Sequence, residues 1–141
     1  MDMRAVLEHR IEQWIADPDS SVEYAEEVDG RWAVRMRQEV RDATTTWFTI
    51  GQRSLGYEAY VLPAAEAGDE LLRQALQRNM RGWRSYFALD HEGGLVLRGR
   101  LAEPQVTNLE LDLVLGEIYD AIEVGFRPLL RSLVAGRENS G

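Results

Sequence analysis

Cysteine and lysine are both absent from this 141-residue chain, and histidine occurs only twice. Without cysteine there is no disulfide framework, no thiolate metal site and no thiol nucleophile. The two histidines, His9 and His91, lack a second ligand at metal spacing, so each reads as a solvated side chain. All sixteen basic residues are arginine, which a GC-rich coding preference explains more simply than a function does. No apolar run approaches the ~18 residues of a membrane span. The N-terminal MDMRAVLEHRIEQWIADPD carries acids early and has no signal-peptide core. A concentrated excess of positive charge is also missing. The net charge is −8 and the pI about 4.8, which disfavours nucleic acid and anionic membranes as partners. A soluble cytoplasmic protein is the expectation.

What is present is ordinary globular composition, 45% apolar and 28% charged, in a chain long enough for one proper core. We read residues 1–136 as a single domain and 137–141 (RENSG) as a disordered tail. The organising stretch is Arg31–Pro63, RWAVRMRQEVRDATTTWFTIGQRSLGYEAYVLP, which reads as successive antiparallel strands.

Before it, Met3, Val6, Leu7, Ile11, Trp14 and Ile15 form one apolar stripe of a helix over 3–16 that ends at Asp17-Pro18. A hairpin over 22–38 turns at Asp29-Gly30. A two-residue turn would pair Val28 with Arg31. A three-residue turn with Gly30 as a bulge pairs Glu27 with Arg31 and Glu23 with Arg35, and puts Val22, Tyr24, Trp32, Val34 and Met36 on one face. The second register makes both faces consistent and is the one expected. The hairpin over 43–62 is expected to turn at Gly51-Gln52 in type II′ geometry, pairing Phe48 with Leu55 and setting Trp47 across from Gly56. Ile50, Phe48, Leu55, Tyr57 and Val61 then face the core.

A second helix follows Asp69 as N-cap, with Leu72, Ala75, Leu76, Met80 and Trp83 on its apolar side and Gly82 at its end. Tyr86–Leu101 forms a hairpin across Glu92-Gly93-Gly94, with Phe87, Leu89, Leu95 and Leu97 inward. The double glycine lacks the further glycine and helix start of a phosphate loop. Thr107–Glu110 is a capping box. Leu111, Leu115, Ile118, Ile122, Phe126, Leu129 and Leu133 continue the last stripe, widened by Leu109, Val114 and Tyr119. Pro128 predicts a kink or a break near 124–128. The sum is an α+β fold, an antiparallel sheet with helices packed on one face, in the order α-β-β-β-β-α-β-β-α.

Three segments carry a resemblance to a known family: RWAVRMRQEVRDATTTWFTIGQRSLGYEAYVLPA (31–64), LLRQALQRNMRGWRSYFALD (71–90) and LDLVLGEIYDAIE (111–123). In these the chain resembles YbjN-type proteins, described as bacterial sensory-transduction regulators, with a fold similar to type III secretion chaperones; the matching segments are structural signatures of the family's actinobacterial branch. The resemblance implies a cytoplasmic homodimer that is not an enzyme and that acts by binding another protein. It carries no catalytic motif to transfer.

The residues themselves point the same way. Glu26 and Glu27 fall on opposite strand faces, and Glu110, Glu117 and Glu123 are spread along a helix, which reads as a solvated acidic surface. Acid–base chemistry needs such groups held together in a cleft. Ser54 and Ser85 lack a base. No catalytic residue, cofactor site or metal site is expected. The candidate interface is the sheet face turned away from the helices: Arg35, Arg37, Trp47, Glu58 and Tyr60. Aromatics with arginine are favoured at protein interfaces. Isolated aromatics on a sheet are the plain alternative. A wide stripe on the last helix is a second candidate for a dimer seam. Three functions remain open: a protein-binding module of chaperone-like fold, a small-molecule sensor or weakly recognisable enzyme with an apolar pocket walled by Trp14, Trp32, Tyr57 and Trp83, and a structural subunit of a larger assembly.

Overall fold

The computed structural model describes residues 2–125. Helix α1 (Met3–Ala16) precedes strands β1 (Val22–Val28), β2 (Arg31–Arg37), β3 (Ala43–Ile50) and β4 (Ser54–Leu62). Helix α2 (Asp69–Arg78), strands β5 (Tyr86–Leu89) and β6 (Leu95–Ala102) and helix α3 (Asn108–Asp120) complete the order, and a π-helical turn over Ala121–Gly125 continues α3. The expected α+β order is therefore observed. The strands form one six-stranded antiparallel sheet in the order β1-β2-β3-β4-β6-β5. The first four are a meander. The chain then crosses through α2, and the last hairpin joins β4 through β6.

Met3, Leu7, Ile11 and Trp14 of α1 and Leu111, Val114, Leu115 and Ile118 of α3 are buried in one core with Val34, Met36, Phe48, Leu55, Tyr57, Ala59 and Leu97 of the sheet. The alternation of strand side chains puts these apolar residues on one sheet face. Asp2 caps α1 by accepting from the Ala5 amide at 2.7 Å. Asp17 leaves the helix with extended backbone ahead of Pro18, as proline requires. Thr107 caps α3 through the Glu110 amide at 3.2 Å. Ile15 and Leu109, expected in the apolar stripes, are exposed.

The registers of the first two hairpins differ from expectation. Val28 pairs with Arg31 and Glu27 with Trp32, so the first turn is the two-residue one. Asp29 and Gly30 both take positive φ, 51° and 80°. That turn twists the same way as its strands. The one-residue conflict with the apolar pattern is absorbed further along, in a β-bulge between Val22 and Tyr24. Beyond the bulge Val22 pairs with Met36 as expected, but Tyr24 lies opposite Arg35 and is exposed instead of buried. Glu27 meets Arg4 of α1 at 3.6 Å in place of Arg31, while the Glu23–Arg35 pair forms at 2.8 Å.

In the second hairpin Ile50 pairs with Leu55 and Phe48 with Tyr57. Gly51 donates to the Ser54 carbonyl at 2.9 Å, which centres the turn on Gln52-Arg53. Gly51 is not among the glycines with positive φ, so the expected type II′ turn is not made. The register moves by two residues, which preserves the faces. Thr49, not Trp47, lies across from Gly56.

Helix α2 is capped by Gly68 without a side-chain bond, and Asp69 is its first residue. It ends at Arg78, short of Gly82. Leu71 and Ala75 are buried, but Leu76 is 66%, Met80 89% and Trp83 88% exposed. The expected apolar side of α2 is thus turned largely to solvent. Leu89 of β5 is also exposed, whereas Phe87, Leu95 and Leu97 are buried as expected. The regular helix gives way at Ala121, before the expected kink at 124–128. Phe126, Pro128, Leu129, Leu133 and the tail at 137–141 lie outside the described residues.

Candidate functional site

Arg35, Arg37, Trp47, Glu58 and Tyr60 all fall on the sheet face opposite the helices. Strand pairing brings them close: Arg35 lies beside Thr45, and Trp47 is flanked by Ala33 and Glu58. Arg35, Arg37 and Tyr60 are exposed, while Trp47 and Glu58 are half-buried. The Arg31 guanidinium stacks 4.5 Å from the Trp47 ring centroid. Glu58 faces Arg98 of β6 at 3.9 Å, and Arg37 donates to the Ser20 carbonyl at 2.9 Å. Trp47, Glu58, Arg31, Arg98 and Arg100 border a shallow groove of ≈ 440 Å³. Charges of both signs and two large aromatics are therefore gathered on one face.

A larger open groove, ≈ 690 Å³, lies between the end of α2, the turn into β5, and α3. Phe87 and Leu97 form part of its lining, and Trp83, Leu113 and Val124 its more exposed margin. Its polar wall is tied down. Glu117 accepts from the Ser85 amide at 2.7 Å and from Arg84, which also reaches Glu110 at 3.2 Å. Tyr57 projects from β4 to bond Ser85 Oγ at 2.9 Å and to donate to the Arg84 carbonyl at 3.2 Å. Burial raises the Tyr57 phenol above its ordinary pKa, and the nearby Glu117 charge adds to this against the lowering effect of the Ser85 bond. A Cβ at Gly99 would stand 2.3 Å from the Tyr57 oxygen, so glycine at 99 is what allows this junction. Ser85 is thus a buried member of that junction.

Asp112 joins α3 to α1. It accepts from Arg10 at 2.9 and 2.5 Å and from the Trp14 indole at 2.8 Å. Desolvation pushes its pKa up, but the bonds from Arg10 and Trp14 outweigh it and hold the carboxyl below the usual value.

Glu123 departs furthest from a solvated acidic surface. It is buried, and it accepts from Gln38 Nε2 at 2.8 Å, from the Val40 amide at 3.1 Å and from the Glu39 amide. Gln38 accepts in turn from Thr44, whose hydroxyl meets Arg41. Arg41 also donates to the Val61 and Tyr60 carbonyls at 2.5 and 2.7 Å, and desolvation lowers its pKa. This network holds the β2–β3 connection against the end of α3. The α-helical spacing does not flag Glu123, because the wider π turn rotates it out of the α3 register.

His9 and His91 are exposed, and no cluster of three metal-ligating side chains occurs among the described residues. The four aromatics proposed to wall a pocket do not converge. Trp14 bonds Asp112, Trp32 donates to Glu8 at 3.1 Å, Tyr57 belongs to the β5 junction and Trp83 is exposed. No described helix is long and apolar enough to cross a membrane.

These features define an α+β domain whose polar groups are arranged to join elements and whose distinctive surfaces are a two-signed aromatic sheet face and an open groove. The chain belongs to the YbjN family, whose model, described as "Putative bacterial sensory transduction regulator", matches residues 9–130. It is 32% identical over 129 residues to an uncharacterised protein of Mycobacterium leprae, a match that covers 89% of this chain and 68% of that protein. Uncharacterised proteins of Mycobacterium bovis and Mycobacterium tuberculosis are 30% identical over 86 residues, or 60% of this chain and 47% of theirs. The chain thus spans about two thirds of one relative and the match about half of the others.

Proposed function

We propose that the chain is a non-enzymatic regulatory module that works by binding protein, and that it forms a homodimer through the outer face of its sheet. One observation carries this reading: Arg35, Arg37, Trp47, Glu58 and Tyr60 share a face that the described helices leave open, with Arg31 stacked on Trp47 at 4.5 Å. A two-fold axis makes an interface contact its own copy, so a face must be self-complementary. Arginines and Glu58 supply both signs, and Trp47 and Tyr60 supply aromatic anchors of the kind that dominate binding energy. Family membership agrees with a regulatory role.

Light scattering on the purified chain at micromolar concentration, beside a Trp47→Ala/Tyr60→Ala double variant, tests the proposal. The expected outcome is a dimer for the parent and a shift toward monomer for a variant that keeps its circular dichroism. A monomeric parent, or a double variant that dimerises unchanged, overturns the sheet-face interface.

A further inference from the structure

The exposed ridge on α2 does not belong to the sheet face. Leu76, Met80 and Trp83 are 66%, 89% and 88% exposed, and they follow one another along a single side of the helix and its closing turn. Large apolar side chains grouped this way mark an interaction surface more often than chance exposure does. The ridge adjoins the ≈ 690 Å³ groove, where Trp83 stands at the margin. Its charge is unlike that of the rest of the molecule. Residues 71–85 contain four arginines and no acid, in a chain of net charge −8. Arg84 is taken up by Glu110 and Glu117, whereas Arg73 and Arg81 are exposed beside the ridge. On the opposite wall, Asp112 and Glu117 are held by Arg10, Trp14, Arg84 and the Ser85 amide, which leaves Asp120 as the exposed acid of the groove, away from Arg73 on the outer side of α2.

We infer that this ridge and groove take up an acidic peptide segment of a different protein, its apolar side chains laid against Leu76, Met80 and Trp83 and its carboxylates met by Arg73 and Arg81. The inference rests on the binding-module reading but uses a separate surface. The groove is open to solvent and not an enclosed cavity, which suits a chain segment better than a small molecule that a pocket must surround. A second copy of this chain is a poor occupant, because a two-fold contact of ridge on ridge would bring Arg73 and Arg81 against the same arginines of the partner. An anionic membrane is disfavoured by the overall negative charge and by the small number of available arginines.

The test uses the full chain and three labelled synthetic peptides of equal length: an amphipathic helix with Leu at three- and four-residue spacing and Glu elsewhere, the same pattern with Lys in place of Glu, and a scrambled acidic control. Fluorescence anisotropy reads the affinities. The acidic amphipath is expected to bind about tenfold tighter than either control, with Trp83→Ala costing about tenfold and Arg73→Glu/Arg81→Glu reversing the charge preference. The Trp47→Ala/Tyr60→Ala variant should bind the peptide as the parent does. Loss in that variant would return the activity to the sheet face and overturn the α2 site alone. Equal binding of the Glu and Lys peptides, indifference to Trp83→Ala, or no binding of any peptide overturns it too. So does co-sedimentation with phosphatidylserine vesicles, lost in Trp83→Ala, in place of peptide binding.

Discussion

Helices α1 and α2 are both amphipathic in sequence, yet the fold treats them oppositely. Met3, Leu7, Ile11 and Trp14 of α1 are all buried, Leu7 completely at 0% exposure, whereas Leu76 on α2 is 66% exposed. The difference lies in what each helix is offered. Helix α1 packs on β1 and on α3, and the Asp112 bonds to Arg10 and Trp14 fix that contact. Helix α2 meets the short edge strand β5 and buries only Leu71 and Ala75. An apolar stripe establishes that a helix has a side to cover. It does not establish that this chain covers it.

The largest expected effect separates the two helices directly. Leu7→Ala removes a fully buried side chain and should cost about 2–5 kcal/mol of stability, as large-to-small core changes do. Leu76→Ala should stay within about 0.5 kcal/mol, because the residue is mostly exposed. Urea denaturation of both variants measures the contrast. A cost at Leu76 comparable to that at Leu7 would mean that the ridge is covered in solution.

Next in size is the anchor that holds the α2–β5 region to the sheet. Gly99→Ala would set a Cβ 2.3 Å from the Tyr57 oxygen and 2.7 Å from the Arg84 carbonyl. A loss of about 1–3 kcal/mol is expected from such overpacking. Adding Tyr57→Phe should recover only part of it, since the contacts with the ring carbon at 2.6 Å and with the Arg84 carbonyl remain. Full recovery would show that the phenol alone sets the junction.

The sequence makes the architecture legible because its signals there are local. The stripe of α1, the Thr107 cap and the alternation in β2, β3 and β4 all predict what is seen. Register is less legible. At Asp29-Gly30 two turns were compatible with the composition, and the deciding element was a bulge near Val22, some way along the strand. The five sheet-face residues were legible as a group because side-chain parity in β2, β3 and β4 survives a two-residue shift. The α2 ridge and the buried Glu123 were not, since both depend on tertiary neighbours: the shortness of β5 in one case, a π turn in the other.

A smaller effect tests the clasp that gives α1 its cover. The bonds from Arg10 and Trp14 outweigh desolvation and hold the Asp112 carboxyl below its ordinary pKa in the fold. A depressed carboxylate contributes stability above the unfolded value and loses it as the pH falls through the folded one. Asp112→Asn should therefore cost about 1 kcal/mol at neutral pH, a modest figure because the side chain is 39% exposed. The difference from the parent should shrink as the pH falls below about 4. Urea midpoints at a series of pH values read it out. A difference independent of pH would make the contact one of shape and not of charge. Leu76→Ala should show no such pH dependence.

The smallest effect concerns the floor against which the covered helices pack. Thr46 of β3 is fully buried, and its hydroxyl has no hydrogen-bond partner among the described residues. An unpaired buried hydroxyl costs free energy that an apolar group of the same shape does not. Thr46→Val keeps the β-branched shape and the strand preference. It should leave stability unchanged or raise it by up to about 1 kcal/mol, against the clear loss at Leu7 in the same core. Thermal and urea melts of the Val and Ser variants divide the contributions of the hydroxyl and the methyl: Ser should destabilise and Val should not. A marked loss in the Val variant would show that the hydroxyl is satisfied after all, and that the inner face of the sheet, like the α1–α3 clasp, is held by polar bonds as well as by packing.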